Sequence, residues 1–163
     1  MELLPEIQKR GSVRKYKEGK LSDEQIRLLM EAAMKGPSGM NIRPYRFVVV
    51  RKDEMLKKVK TASKYAGYNA PNAIVVVGNR KESPLMWQND CGAATENILL
   101  QATHMGLGTV WCGLYPLPGN SEAMKKVLSM KEEEEAYALI LIGIPDEAKE
   151  SRGRYEEDKV TVI

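Results

Sequence analysis

The chain has 163 residues, enough for one domain with a real core, and 43% of them are apolar against 29% charged. That is a globular balance, and it excludes disordered and fibrous classes. Lys and Arg number 25 against 22 Asp and Glu, a net charge of +3, and they are mixed with acids rather than gathered with aromatics, so a nucleic-acid surface is not expected.

Read in chain order, the N-terminus MELLPEIQKR puts Glu2 where a signal peptide would want positive charge and has no long apolar centre. No apolar stretch approaches ~20 residues, so no membrane span is expected. Leu3, Leu4 and Ile7 share a helical face around Pro5, ending near Lys9. Ser22 with Gln25 three residues later fits a capping box, and Ile26, Leu29, Met30 and Ala33 follow at helical spacing until Gly36 and Pro37 stop the helix.

Residues 45–50 read as a strand whose apolar run suggests burial on both faces, and a helix capped by Asp53 follows. Residues 73–78 (AIVVVG) form a second buried strand. Residues 88–105 are the most uniformly apolar helix, with Ala93, Ala94, Ile98, Leu99 and Ala102, and read as the central core helix. Its last turn holds the one histidine, His104, in an apolar pattern that reads as structural.

Residues 109–113 (TVWCG) form a strand, and Ser121 caps a helix with Met124, Val127 and Leu128. The acidic run Glu132 to Glu135 reads as a solvated loop or helix end. Residues 137–144 form a core strand closed by Pro145. VTVI, residues 160–163, reads as a terminal apolar strand needing a sheet edge in its own chain or a partner's, which suggests a symmetric dimer. The expectation is one domain over residues 1–163, with three α/β/α layers, helices packed on both faces of a mixed central sheet. Cys91 and Cys112 are far apart and match no metal spacing, so reduced, packed thiols and a cytoplasmic location are expected.

Arg10, Ser12 and Arg14 alternate, so in extended backbone two guanidiniums and a hydroxyl share a face suited to an anion; Gly11 between them allows close backbone approach. Arg152 and Arg154 repeat the device. Taken alone, either motif reads sooner as exposed solubilising residues than as an anion site. Pro37, Ser38, Gly39, Met40 and Asn41 form a loop whose short polar groups can cap turns or face a polar ring. GLGTVWCG, residues 106–113, precedes a strand rather than opening a helix and so is no dinucleotide fingerprint. Walker loop, GxSxG elbow and His/Cys nucleophile pair are all missing. Donor-rich loops without a general base suit an enzyme whose cofactor carries the chemistry.

The series R-x-S-x-R, P-S-G-x-N-x-x-P-Y-x-F-V-V-V, G-L-G-T-x-W-x-G, A-L-I-L-I-G-I-P-D-E and R-x-R resembles the FMN-dependent nitroreductase family over residues 6–154. The resemblance implies a nitroreductase-like α+β fold, a homodimer with an exchanged C-terminal segment, and two interface FMN sites. It further implies NADH or NADPH as donor and ping-pong two-electron reduction of small-molecule acceptors such as nitroaromatics or quinones. Carried over by position, Arg10, Ser12 and Arg14 would meet the FMN phosphate, ribityl chain and pyrimidine edge, with Arg152 and Arg154 completing the phosphate site. Pro37, Ser38, Gly39 and Asn41 would reach the flavin from the partner. The segment from Trp111 through Gly113 to Leu114 would lie along the ring, with a backbone N–H of Gly113 or Leu114 directed at its N5. Cationic donors at the N1/C2 edge stabilise an anionic reduced flavin.

Met40, Tyr65, Tyr68 and Met86 are candidates for the substrate-facing wall. Many relatives have Arg where this chain has Gly11, and Gln and Trp where it has Arg43 and Tyr45. An Arg at 43 bears on nicotinamide choice or on anionic substrates. A non-catalytic flavin-binding protein for storage or regulation is the alternative, and a small RNA-binding domain is disfavoured by the dispersed basic residues.

Overall fold

The computed structural model describes residues 2–148 and 153–163. Strands β1 (Tyr45–Val50), β2 (Asn72–Asn79), β3 (Gly108–Gly113) and β4 (Glu134–Gly143) form one sheet in the order β1-β2-β4-β3. The helices are α1 (Pro5–Lys9), α2 (Asp23–Met34), α3 (Asp53–Thr61), α4 (Trp87–His104) and α5 (Asn120–Val127).

The continuous apolar runs of β2 and β4 place these strands at the sheet's centre, where both faces are covered. On one face Val75, Val77, Leu139 and Leu141 pack with Leu56 and Val59 of α3 and Met124 of α5. On the other, Ile74, Val76, Ile140 and Ile142 pack with Leu29 and Ala33 of α2 and Ile98 and Ala102 of α4. The three layers expected from the sequence are present. Ser22 caps α2 with the reciprocal Gln25 bond, as the capping box requires.

The expected mixed sheet does not form. All three neighbouring strand pairs are antiparallel, and parallel pairing among the described residues is confined to the single bridge Ser12–Thr109. The reason lies in the connections. Val50 pairs with Ala73 and Gly113 with Ala138, so the segments carrying α3 and α5 return the chain near the end of the sheet it left. Only α4 crosses the sheet, joining β2 to β3, and β4 separates those two strands.

Four local expectations also need correction. β1 is an edge strand, mostly half-buried, with only Val50 fully inside. Asp53 is the first helical residue of α3 rather than its cap, and its carboxylate accepts from Lys20 Nζ. Ser121 lies inside α5, behind a left-handed Gly119 (φ 81°), and its hydroxyl donates to Glu135 Oε2 at 2.9 Å. The acidic run is not wholly solvated, because Glu134 and Glu135 begin β4. Glu134 takes both ends of the Arg46 guanidinium, and Glu135 takes Lys125.

Residues 160–163 form no strand within the described residues, and Val160, Val162 and Ile163 are exposed, with no strand among those residues pairing with them. His104 is structural but sits at the surface, with Nδ1 2.8 Å from Glu6 Oε1, tying α1 to the end of α4. No helix of the described residues is long and apolar enough to cross a membrane.

Candidate functional site

The loop between α2 and β1 carries the strongest local signal. Gly36 follows α2 where a Cβ would lie 3.2 Å from the Ala93 and Ala94 backbone, so glycine eases the close approach of the α2 end to α4. Met40, Asn41 and Arg43 then take positive φ values of 49°, 57° and 55°. Non-glycine residues in this region each cost about 1–2 kcal/mol, less for Asn, and such conformations persist only where the surroundings over-determine them.

Asp90 does so. It lies in the first turn of α4 at 4% exposure, and its two carboxylate oxygens accept from Ser38 Oγ and from the Gly39 N–H, both at 3.0 Å. Ser38 Oγ in turn accepts from the Arg43 N–H at 2.8 Å. The result is a fixed loop presenting exposed Met40, Asn41 and Arg43, beside Pro37, which is also exposed. Met86 closes the loop's inner side, 3.3 Å from where a Gly39 Cβ would stand. Sequence reasoning missed Asp90, and only the polar residue in an apolar helix pattern could have marked it.

Next to this loop, Tyr45 Oη is buried without a hydrogen-bond partner among the described residues. Burial raises the phenol pKa, with Arg43 opposing and Asp90 and Cys91 adding to the rise. An orphaned hydroxyl of this kind marks a place where a ligand or water completes the structure.

A second constellation lies along β3. The segment with Arg10, Ser12 and Arg14 runs beside its outer edge, with the Val13 N–H donating to Thr109 O at 2.8 Å. Arg10 Nε lies 3.3 Å from Glu96 Oε1 of α4, and the Arg14 guanidinium sits 5.9 Å over the Tyr68 ring. The Arg14 N–H donates to Glu147. Buried Tyr16 fixes the segment from inside, its hydroxyl donating to Val13 O, with Leu141 O at 3.3 Å.

Strand parity sorts the two N–H groups that sequence reading left open. Thr109 O faces the outer edge, and in a strand alternate residues face the same side, so the Trp111 and Gly113 N–H groups face outward as well. The Leu114 N–H points inward and donates to Tyr137 O at 3.1 Å. Gly113 therefore keeps a donor at the open edge, and Leu114, fully buried, does not.

Tyr137 is the extra residue of a bulge at the β2–β4 register shift, and its carbonyl accepts from both Leu114 and Tyr115. Its ring lies 5.9 Å from half-exposed Trp111 and 6.1 Å from Trp87, and Trp87 meets Tyr115 at 4.9 Å. Trp87, Tyr115 and Tyr137 escaped sequence reading because isolated aromatics look like core.

The described residues do not join the two constellations. No hydrogen bond or ion pair among them links Ser38, Asn41 or Arg43 to Arg10, Ser12, Arg14 or Gly113. Arg154 is exposed without an ion pair to another described residue, and Arg152 lies outside the described residues. Of the expected wall, Tyr65 is exposed, with its carbonyl taking the Cys112 thiol at 3.3 Å, and Tyr68 is half-buried. Burial pushes the Cys112 thiol up to about 11 and Cys91 to about 12, so neither is a thiolate nucleophile near neutral pH. No group of His, Cys, Asp or Glu among the described residues could hold a metal ion.

Comparison with known proteins gives this arrangement its context. The family described as "Putative TM nitroreductase" matches residues 2–163. The chain belongs to this nitroreductase family. A relative from Archaeoglobus fulgidus, named "Putative NADH dehydrogenase/NAD(P)H nitroreductase", is 39% identical over 98% of this chain and 96% of its own. A crystal structure of a protein so named from Bacteroides thetaiotaomicron superposes with a TM-score of 0.92 at 36% identity, covering 96% of this chain and 94% of that one. A crystal structure described as "a putative nitroreductase in complex with fmn", from Desulfovibrio desulfuricans, superposes with a TM-score of 0.81 at 27% identity, covering 99% of this chain and 98% of that one. The nitroreductase is thus an oxidoreductase of α+β fold built on a four-stranded antiparallel sheet.

Proposed function

We propose that this nitroreductase binds FMN and uses it to pass two electrons from NADH or NADPH to a small-molecule acceptor such as a nitroaromatic or a quinone. The observation that carries the reading is family membership over residues 2–163. The donor set fits the cofactor: two guanidiniums flank Ser12, Gly113 leaves an N–H free at the open edge of β3, and an unpartnered Tyr45 hydroxyl lies by a strained, anchored loop.

In this reading Arg10, Ser12 and Arg14 hold the phosphate, ribityl chain and pyrimidine edge, with Arg152 and Arg154 adding charge to the phosphate site. Trp111 supports the ring, and the Gly113 N–H orients it. Bound FMN supplies the two-electron chemistry, and the protein binds, orients and excludes water. Cations at the pyrimidine edge favour accumulation of negative charge there. Pro37, Ser38, Gly39 and Asn41 close the site from a second copy of the chain, which accounts for the absence of polar links between the two constellations within one copy. The exposed apolar residues Val160, Val162 and Ile163 fit the same homodimer, with the C-terminal segment exchanged.

Purified protein should be yellow, and NADH or NADPH should bleach it without oxygen. Initial rates with donor and acceptor varied should give the parallel double-reciprocal lines of a ping-pong scheme. A yellow protein that neither nicotinamide bleaches would overturn the enzymatic reading and favour a flavin-binding protein without turnover.

A further inference from the structure

The anchoring of the α2–β1 loop supports an inference that rests on the FMN reading and refines it. Ser38 stands among the residues that family resemblance assigns to the flavin, yet in this chain its hydroxyl is already committed. The O–H donates to Asp90 Oδ2, and the oxygen accepts from the Arg43 N–H. A hydroxyl has one proton to give, so Ser38 has no donor left for a ligand.

We infer that Asp90 is a positioning residue. Through Ser38 and the Gly39 N–H it holds the loop in its left-handed form, so that Asn41 and Arg43, rather than Ser38, present the polar groups that meet the ligand.

Three observations converge on this. Asp90 is buried in a helix whose other inward residues are nearly all apolar, and both its oxygens point at one six-residue loop, 38–43. That loop holds three of the four positive-φ non-glycine residues among those described. A local outlier of that kind needs an external anchor, and among the described residues Asp90 is the one side chain outside the loop that hydrogen-bonds it. The side chains of Asn41 and Arg43 are exposed, and Arg43 has no ion-pair partner among the described residues. The two hydrogen bonds of the carboxylate run to Ser38 and Gly39, so its hold on the ligand passes through the loop.

The test is a double-mutant cycle in the full-length chain. FMN dissociation constants are read from flavin fluorescence, and amide exchange is followed at Gly39 and Arg43. Asp90→Ala and Ser38→Ala should each weaken FMN binding about tenfold or more. The double variant should be no weaker than Asp90→Ala alone, because both remove one anchor. The Gly39 and Arg43 amides, protected in the wild type, should exchange freely in Asp90→Ala. Asp90→Asn keeps the shape and an acceptor for Gly39, so it should restore most of the binding and the exchange protection.

Additive losses would overturn the inference, because Ser38 would then contact FMN independently. So would unchanged exchange at Gly39 and Arg43 in Asp90→Ala. Should Asp90→Ala fail to fold, Asp90→Leu, of similar shape but without an acceptor, takes its place in the same cycle. A wild-type chain that takes up no FMN overturns the FMN reading instead, and the exchange comparison still decides whether Asp90 sets the loop.

Discussion

At the residue scale, the difference between Gly113 and Leu114 is a matter of strand parity. Neighbouring residues of one strand point their N–H groups to opposite sides, so one donor lies on the open edge of β3 and the other is spent on Tyr137 O. Proline has no N–H but is tolerated on the solvent side of an edge strand. Gly113→Pro should therefore keep the fold, with a melting temperature near that of Gly113→Ala, whose added Cβ would stand 3.5 Å from Leu117. It should slow reduction of bound flavin by NADH or NADPH about tenfold or more in anaerobic stopped-flow, the loss of one oriented donor. Leu114→Pro should unfold the protein instead, because it removes a sheet bond and disturbs a fully buried side chain. Equal reduction rates in Gly113→Pro and Gly113→Ala would remove the N–H from the site.

At the element scale, β4 begins inside an ion cluster that ties three elements together. Arg46 of β1 reaches across β2 to hold Glu134 in two hydrogen bonds, and the Lys131 N–H adds a third at 3.0 Å. These contacts, chiefly the Arg46 bond, bring the Glu134 carboxyl down from 4.5 to about 2 despite burial that opposes it. The folded state then binds the proton less readily than the unfolded chain. The contribution is full above about pH 4.5 and is lost as pH falls toward 2. Arg46→Met should cost about 1–3 kcal/mol near pH 7 in urea unfolding, and its deficit against the wild type should shrink steadily below pH 4.5. A deficit independent of pH would mean that Arg46 acts through packing alone. This cluster also shows why the acidic run misled. Four consecutive glutamates look solvated when read alone, whereas their cations, Arg46, Arg80 and Lys125, lie far off in sequence or on another element. The α2 capping box, the AIVVV and ALILI strands and the α4 core stripe were legible because each is a local pattern at the period of its own element. Strand direction was not, since it depends on which end of the sheet each connection returns to.

At the scale of the whole molecule, the unsolved element is the C-terminal segment. Sequence marked VTVI as a strand in search of an edge, and the single chain leaves Val162 at 92% exposure and Val160 and Ile163 uncovered as well. Leu3, Leu4, Ile7 and Met34 add further exposed apolar surface. A stable monomer seldom leaves so much apolar surface uncovered, and the two halves of the proposed flavin site also stay unjoined within one copy. Both problems have one solution if a second copy receives the segment. Obligate interfaces of this kind bury upwards of ~2,000 Å², far more than four residues provide, so the tail would clamp a larger contact rather than create it. Light scattering after size exclusion should find a dimer of the full chain. Deleting residues 160–163 should shift it toward monomer on dilution, and FMN should be lost in the same concentration range if each site is built from both copies. A truncated chain that stays dimeric and yellow at nanomolar concentration would confine the segment to a surface role. A full-length monomer that binds FMN tightly would show that one copy completes the site by itself.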